Sequence, residues 1–248
     1  MVANTYIGAP VARKEDIRFL TGRARYVDDV KLSGMLHAAI VRSPHAHARI
    51  LSIDASDALS MPGVVAVFSF GDLEQAVEPR TIPMRRGSFE GLERFLQYPF
   101  ARDKVRYVGD PVAVVVAESR HLAEDAVDHV RVTYDRLPAV ANVHASLQGD
   151  VLLYEEQGTN VAYEFSGELG DTDAAFASAD YVREEEFYCH RHTGNPLETR
   201  GLVASYDPGR QDITVWGETK VPHFNRGVLA ELLQIPEHRI HFLSLIHI

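Results

Sequence analysis

Cysteine is nearly missing from this sequence: one residue, Cys189, in 248. No disulfide can form within the chain, and no cysteine-based zinc or iron–sulfur site can be assembled from it. Basic residues are also short, 25 Lys and Arg against 35 Asp and Glu for a net charge of −10. No basic arm is present, which removes nucleic acid as a partner, because phosphate contacts need clustered Lys and Arg. Long apolar runs are absent, none approaching the ~18–20 residues of a membrane span. The opening MVANTYIGAPVARKEDIRFL has no apolar centre behind a basic start, so it does not read as a signal peptide. Glycines are scattered at turns, without a phosphate-cradling loop of Walker or dinucleotide type. These absences point to a reducing compartment and a cytoplasmic protein.

What is present is ordinary globular material, 46% hydrophobic and 24% charged, in a chain long enough to bury roughly 70–75% of its unfolded surface. Residues 1–30 are polar and broken by Gly8, Pro10 and Gly22. Strands are expected over 36–42 and 48–53, a short helix over 55–61 stopped by Pro62-Gly63, and a strand over 64–70. Residues 71–106 are weakly patterned and rich in Pro and Gly, which predicts a surface excursion. The run PVAVVVAES predicts a central buried strand over 112–118, followed by a helix over 121–129 with Ser119 as its N-cap. A strand over 130–134 closes this α+β unit. Residues 137–158 read as a linker, and 173–179 as a short helix. Strands are expected over 181–189, 202–206 and 213–216, the last two joined by Asp207-Pro208-Gly209-Arg210. Phe224, Val228, Leu229, Leu232 and Leu233 define one face of a helix that ends before Pro236. The linker and the long excursion are the expected sites of first proteolysis.

Several side chains invite a chemical reading. His45/His47 and His190/His192 are His-x-His pairs that would share a strand face, as two metal ligands or as solvated or structural residues. Cys189 is either a nucleophile or a buried structural thiol. Glu198, between Leu197 and a strand, needs a partner, and Arg200 is the nearest in sequence. The stretch VWGETKVPHFNR reads as strand, charged turn and helix start, which is where α/β proteins often place ligand-binding groups. Its Glu218 and Lys220 form either a solvated ion pair or part of a site.

Taken together, these motifs resemble the xanthine dehydrogenase and aldehyde oxidase family. GRARYVDDVKLSGMLHAAIVRSPHAHARILSID and YVGDPVAVVVAESRHLAEDAVDHVRVTYDRLPAV are similar to the two halves of its a/b hammerhead domain. NPLETRGLVASYD and TVWGETKVPHFNR are similar to the opening of the molybdopterin-binding domain beside it. The resemblance implies an N-terminal segment over 1–21, a hammerhead over 22–140, a linker over 141–160 and the incomplete start of a molybdopterin-binding α+β domain over 161–248. It implies a molybdenum–molybdopterin cofactor, in the cytosine dinucleotide form common in bacteria. It also implies iron–sulfur and FAD subunits or domains as electron partners, and hydroxylation of an aldehyde or N-heterocycle with oxygen from water.

In many members a glutamine in this turn hydrogen-bonds an oxygen ligand of the metal. Lys220 stands at that place here, with Glu218 and Thr219 as supporting neighbours. An ammonium would donate as the glutamine does and add a positive charge beside an anionic centre. The family continues with a glycine-rich segment and, further on, a catalytic glutamate. This chain runs instead into IHFLSLIHI, its last residues 243–248 departing from the pattern. No general base and no metal ligand is therefore assigned. The expected identity is the front portion of a catalytic subunit, and the alternative is a non-catalytic hammerhead scaffold or assembly module.

Overall fold

The computed structural model describes residues 8, 10, 12–84, 89–190, 192–196, 198–217 and 219–244. The helices are α1 (Asp16–Leu20), α2 (Ser56–Leu59), α3 (Phe70–Ala76), α4 (Arg120–Val127), α5 (Val143–Gln148), α6 (Thr172–Ser178) and α7 (Pro222–Leu233). The strands are β1 (His37–Arg42), β2 (Ala48–Asp54), β3 (Val64–Ser69), β4 (Lys104–Val105), β5 (Pro111–Ala117), β6 (Arg131–Arg136), β7 (Leu202–Asp207), β8 (Asp212–Gly217) and β9 (Ile240–Ser244). They form three three-stranded sheets, ordered β1-β5-β3, β4-β2-β6 and β7-β8-β9. Helix and strand mix without a repeating alternation, so the fold is α+β.

The continuous apolar run becomes β5, the middle strand of its sheet, antiparallel to both β1 and β3. Val112 and Val115 are fully buried, as a strand covered on both faces must be. Helix α4 lies on this sheet through Ala123 and Ala126. Its N-terminus is capped as expected, the Ser119 hydroxyl accepting from the Leu122 N–H at 3.3 Å. The turn before β3 needs Gly63: its φ is 87°, and a Cβ there would come 2.7 Å from Leu122 Cδ2. The second sheet shares the core through Ile53 and Val132, which touch both buried clusters.

Three expectations are corrected. The excursion over 71–106 is not all surface: it contains α3, and β4 inserts beside β2 with Val105 fully buried. Two residues of strand are too few to show a period, so the sequence conceals them. Residues 85–88 lie outside the described residues. The strand over 181–189 does not form; the segment is exposed, has no regular structure and pairs with no strand among the described residues, because β-propensity yields a strand only against a partner strand. Cys189 within it is exposed, not buried.

The region over 137–160 is tied down at several points. Leu137 N–H donates to His47 O at 3.0 Å. Asn160 Nδ2 donates to Val151 O at 2.7 Å, and its Oδ1 accepts from Leu153 N–H at 2.9 Å. Arg49 donates to Glu155 at 2.9 Å.

The third sheet carries the turn of interest. Strands β7 and β8 make an antiparallel hairpin, then α7 crosses over so that β9 pairs with β8 in parallel. An N-terminal segment reaches this sheet as well: Val27 and Val30 pack on Val203 and Trp216.

Candidate functional site

Parallel pairing places the ends of β8 and β9 side by side, Gly217 opposite Ser244. Beyond that carboxyl end the chain makes a tight turn and enters α7. This is the part of an open α/β arrangement where ligands bind. Gly217 is buried where β7 begins, and an added Cβ would stand 3.4 Å from Gly201 O and from Leu202 Cβ.

Thr219 is buried and holds the turn in shape. Its Oγ1 accepts from Asn225 Nδ2 on α7 and from the Val221 N–H. Its carbonyl accepts from the Ser244 hydroxyl at 3.4 Å. One residue, through its hydroxyl and its backbone carbonyl, thus ties the end of β9 to the first turn of α7 just beyond β8. Lys220 follows and is exposed, with no hydrogen bond or ion pair to any described residue. Helix α7 starts with Pro222 at its first position and has no side-chain cap at Val221. Its first N–H groups and the positive end of its dipole therefore stay open toward this side. Glu218 lies outside the described residues.

The other sequence candidates are dispersed. His47 lies in the turn before β2, 3% exposed, and its Nδ1 sits 2.7 Å from Pro138 O. A carbonyl only accepts, so Nδ1 carries the proton and Nε2, which is buried, has no partner. Burial holds its pKa below the usual histidine value. His45 packs edge-on against the Tyr134 ring at 4.9 Å. His190 and His192 are in the exposed segment, His192 Nδ1 donating to His190 O at 3.1 Å. Among the described residues no group of three or more His, Cys, Asp or Glu could hold a metal ion.

Glu198 finds a different partner from the one expected. Its Oε1 accepts from the Val27 N–H at 2.8 Å, and no ion pair joins it to Arg200. The bond spans 171 positions of sequence, so spacing could not disclose it. Ser244, 25 positions beyond Thr219, is hidden for the same reason, whereas Asn225 stands only six positions on and its bond depends on how the chain enters α7.

Comparison with known proteins agrees with this arrangement. Residues 21–138 match the family model for the a/b hammerhead domain of aldehyde oxidase and xanthine dehydrogenase. Residues 153–244 match the molybdopterin cofactor-binding domain. The chain belongs to the aldehyde oxidase and xanthine dehydrogenase family.

Among curated members of that family, the nicotine 6-hydroxylase large subunit of Paenarthrobacter nicotinovorans is 38% identical, over 98% of this chain and 29% of the relative. The carbon monoxide dehydrogenase large chain of Afipia carboxidovorans is 39% identical, over 96% and 30%. Quinoline 2-oxidoreductase from Pseudomonas putida 86 superposes with a TM-score of 0.84 at 40% identity, over 94% of this chain and 29% of that one. The chain spans less than a third of these relatives. Within the family match, the Thr219–Lys220 turn falls in the cofactor-binding domain.

The turn suits an anionic group on one side. It offers an exposed ammonium without a partner among the described residues, a helix start without a side-chain cap at Val221 and a backbone pinned by Thr219, at the carboxyl end of parallel strands. These are donors and positive charge, as a molybdopterin phosphate or dithiolene would require.

Proposed function

We propose that this chain is the front part of a molybdenum hydroxylase large subunit, and that the turn over 218–220 forms one wall of its cofactor site. The observation that carries this reading is the position of Lys220. It is an exposed cation without a partner among the described residues, held at the carboxyl ends of β8 and β9 by the bonds of Thr219, inside the molybdopterin-binding match. The bound cofactor would supply the redox centre at which a carbon of the substrate is hydroxylated with oxygen from water. Lys220 would donate from its ammonium toward the anionic centre, while Thr219 fixes where that donor starts. Glu218 is assigned a supporting place beside them.

The substrate class is a small aldehyde or N-heterocycle, consistent with relatives named for nicotine and quinoline. The cytosine dinucleotide form of the cofactor, iron–sulfur and FAD partner subunits, and a cytoplasmic location complete the proposal. The hammerhead occupies 22–140 in this scheme, and 141–160 leads into the cofactor domain. No described helix is long and apolar enough to cross a membrane.

The test is Lys220→Gln in the complete subunit. Folding and molybdenum content should be retained, while turnover or its pH profile changes. Removing a donor aimed at a reacting oxygen costs about 2.7–4 kcal/mol, and exchanging one donor for another should cost less. Wild-type kinetics across the whole pH range would make Lys220 a bystander.

A further inference from the structure

Where the Lys220 ammonium stands depends on what holds the backbone on either side of it. A lysine carries its charge on a flexible four-carbon stem. If the base of that stem also moves, the donor spreads over many positions, and a displacement of about 1 Å can cost up to ~10²-fold in rate. Thr219 precedes Lys220 and Val221 follows it. The Thr219 hydroxyl accepts from the Val221 N–H at 3.3 Å. That bond closes a short turn over Lys220, of the kind Ser and Thr make with the residue two positions on. It is longer than a good N–H···O bond and needs support.

Asn225 supplies it. This half-buried residue is the fourth of α7, and it grips both ends of the turn. Its backbone N–H donates to the Val221 carbonyl at 3.0 Å, and its side-chain Nδ2 donates to the Thr219 hydroxyl. The backbone bond is the first of the helix, and any residue but proline would make it. The side-chain bond is particular to this residue. Inside a helix Asn is less favourable than Ala or Leu, because its amide competes for backbone partners. Here the amide reaches out of the helix to the turn, so the turn and not the helix accounts for the residue type at 225.

We infer that Asn225 is a positioning residue of the proposed site. Through Thr219 it fixes the backbone from which the Lys220 side chain extends, and so sets where the ammonium stands toward the anionic cofactor. The functional part of this inference rests on the cofactor reading of Lys220; the grip of Asn225 on the turn does not. Two variants separate that grip from the helix. Leu has nearly the shape of Asn and a higher helix propensity, so Asn225→Leu removes the side-chain tie and leaves α7 intact. Asn225→Asp keeps the tie, since the Thr219 hydroxyl can donate to a carboxylate.

Amide hydrogen exchange of the 248-residue chain, read by mass spectrometry, tests the grip. Exchange over 219–224 should quicken roughly three- to tenfold in Asn225→Leu, the loss of one net hydrogen bond. It should stay near wild type in Asn225→Asp, with β5 unchanged in both. Unchanged exchange over 219–224 in Asn225→Leu, or acceleration that extends to β5, overturns the inference. Function is read in the complete subunit carrying its cofactor, with benzaldehyde and quinoline as probes, one from each proposed substrate class. Asn225→Leu should lower kcat by at least about tenfold with little change in KM. In a Lys220→Met background the same substitution should cost nothing further, because its effect passes through the lysine. An equal loss in that background overturns the positioning role. If Lys220→Met alone leaves kcat and its pH profile as in wild type, the cofactor reading fails, while the exchange result still decides whether Asn225 fixes the turn.

Discussion

Two polar groups, half-buried Glu198 and buried His47, show how individual side chains hold distant parts of this chain together. Glu198 reaches the Val27 N–H and so clips the N-terminal segment onto the third sheet, where Val27 and Val30 already pack on Trp216. Glu198→Ala would leave a buried backbone donor unsatisfied, and a hydrogen bond to a charged group is worth about 1.5–3 kcal/mol. A fall of that size in urea unfolding free energy is expected, and an unchanged midpoint would show the clip to be incidental. His47 acts through its protonation state. It is kept neutral by burial, with Lys104 and Arg106 further opposing its charge and Glu155 and the Pro138 carbonyl favouring it. Its folded pKa lies below its unfolded one, so its contribution is fully present above pH ~6.5 and is lost as pH falls toward the folded value. Glu155, also depressed by its bond to Arg49, contributes above its unfolded pKa and loses that only in the more acidic range, so the two windows separate. His47→Asn keeps a donor for Pro138 and removes the titration. Its stability should vary less than wild type between pH 7.5 and pH 5.5, and an identical slope would exclude His47 as the cause.

How far secondary structure could be read depended on whether each element carries its own signal. PVAVVVAES announced β5 because an apolar run bounded by Pro and Ser has few other uses, and Ser119 announced α4 by a local bond. The strand, turn and helix around Thr219 were legible because Pro222 and the apolar face of α7 mark the helix start. Closure of that turn by Ser244 was not, since it needs the parallel pairing of β8 with β9. The segment over 181–189 failed in the opposite way: Tyr181, Val182, Phe187 and Tyr188 look like a strand, yet all four are exposed and no strand among the described residues pairs with them. Limited proteolysis should accordingly begin within 161–200 and not within 137–160, which the bonds of Asn160, Arg49 and Arg106 fasten down. First cuts within 137–160, with 161–200 intact, would show that the exposed segment is covered in solution.

Taken whole, the chain joins a self-contained core to an open one. The sheets of β1–β6 share apolar clusters that include Val41, Val112 and Val115, with α4 packed across them. The sheet of β7–β9 keeps Val215 and Ile240 buried but leaves Leu202 and Tyr206 exposed on β7, and Phe165, Leu169 and Phe187 are exposed in the sequence that precedes it. Exposed apolar surface and unpaired strand edges of this kind favour association. The same asymmetry bears on the cofactor. In the proposed site Thr219 and Lys220 would make one wall, and an anionic cofactor held tightly needs enclosing walls on its other sides as well. The most direct measurement is molybdenum content, by mass spectrometry, of residues 1–248 expressed in a host that makes the molybdopterin cofactor. The account predicts far less than one metal per chain, in material prone to self-association and without hydroxylation activity. Near-stoichiometric molybdenum in a soluble monomer would contradict it, because a single wall could not hold the cofactor.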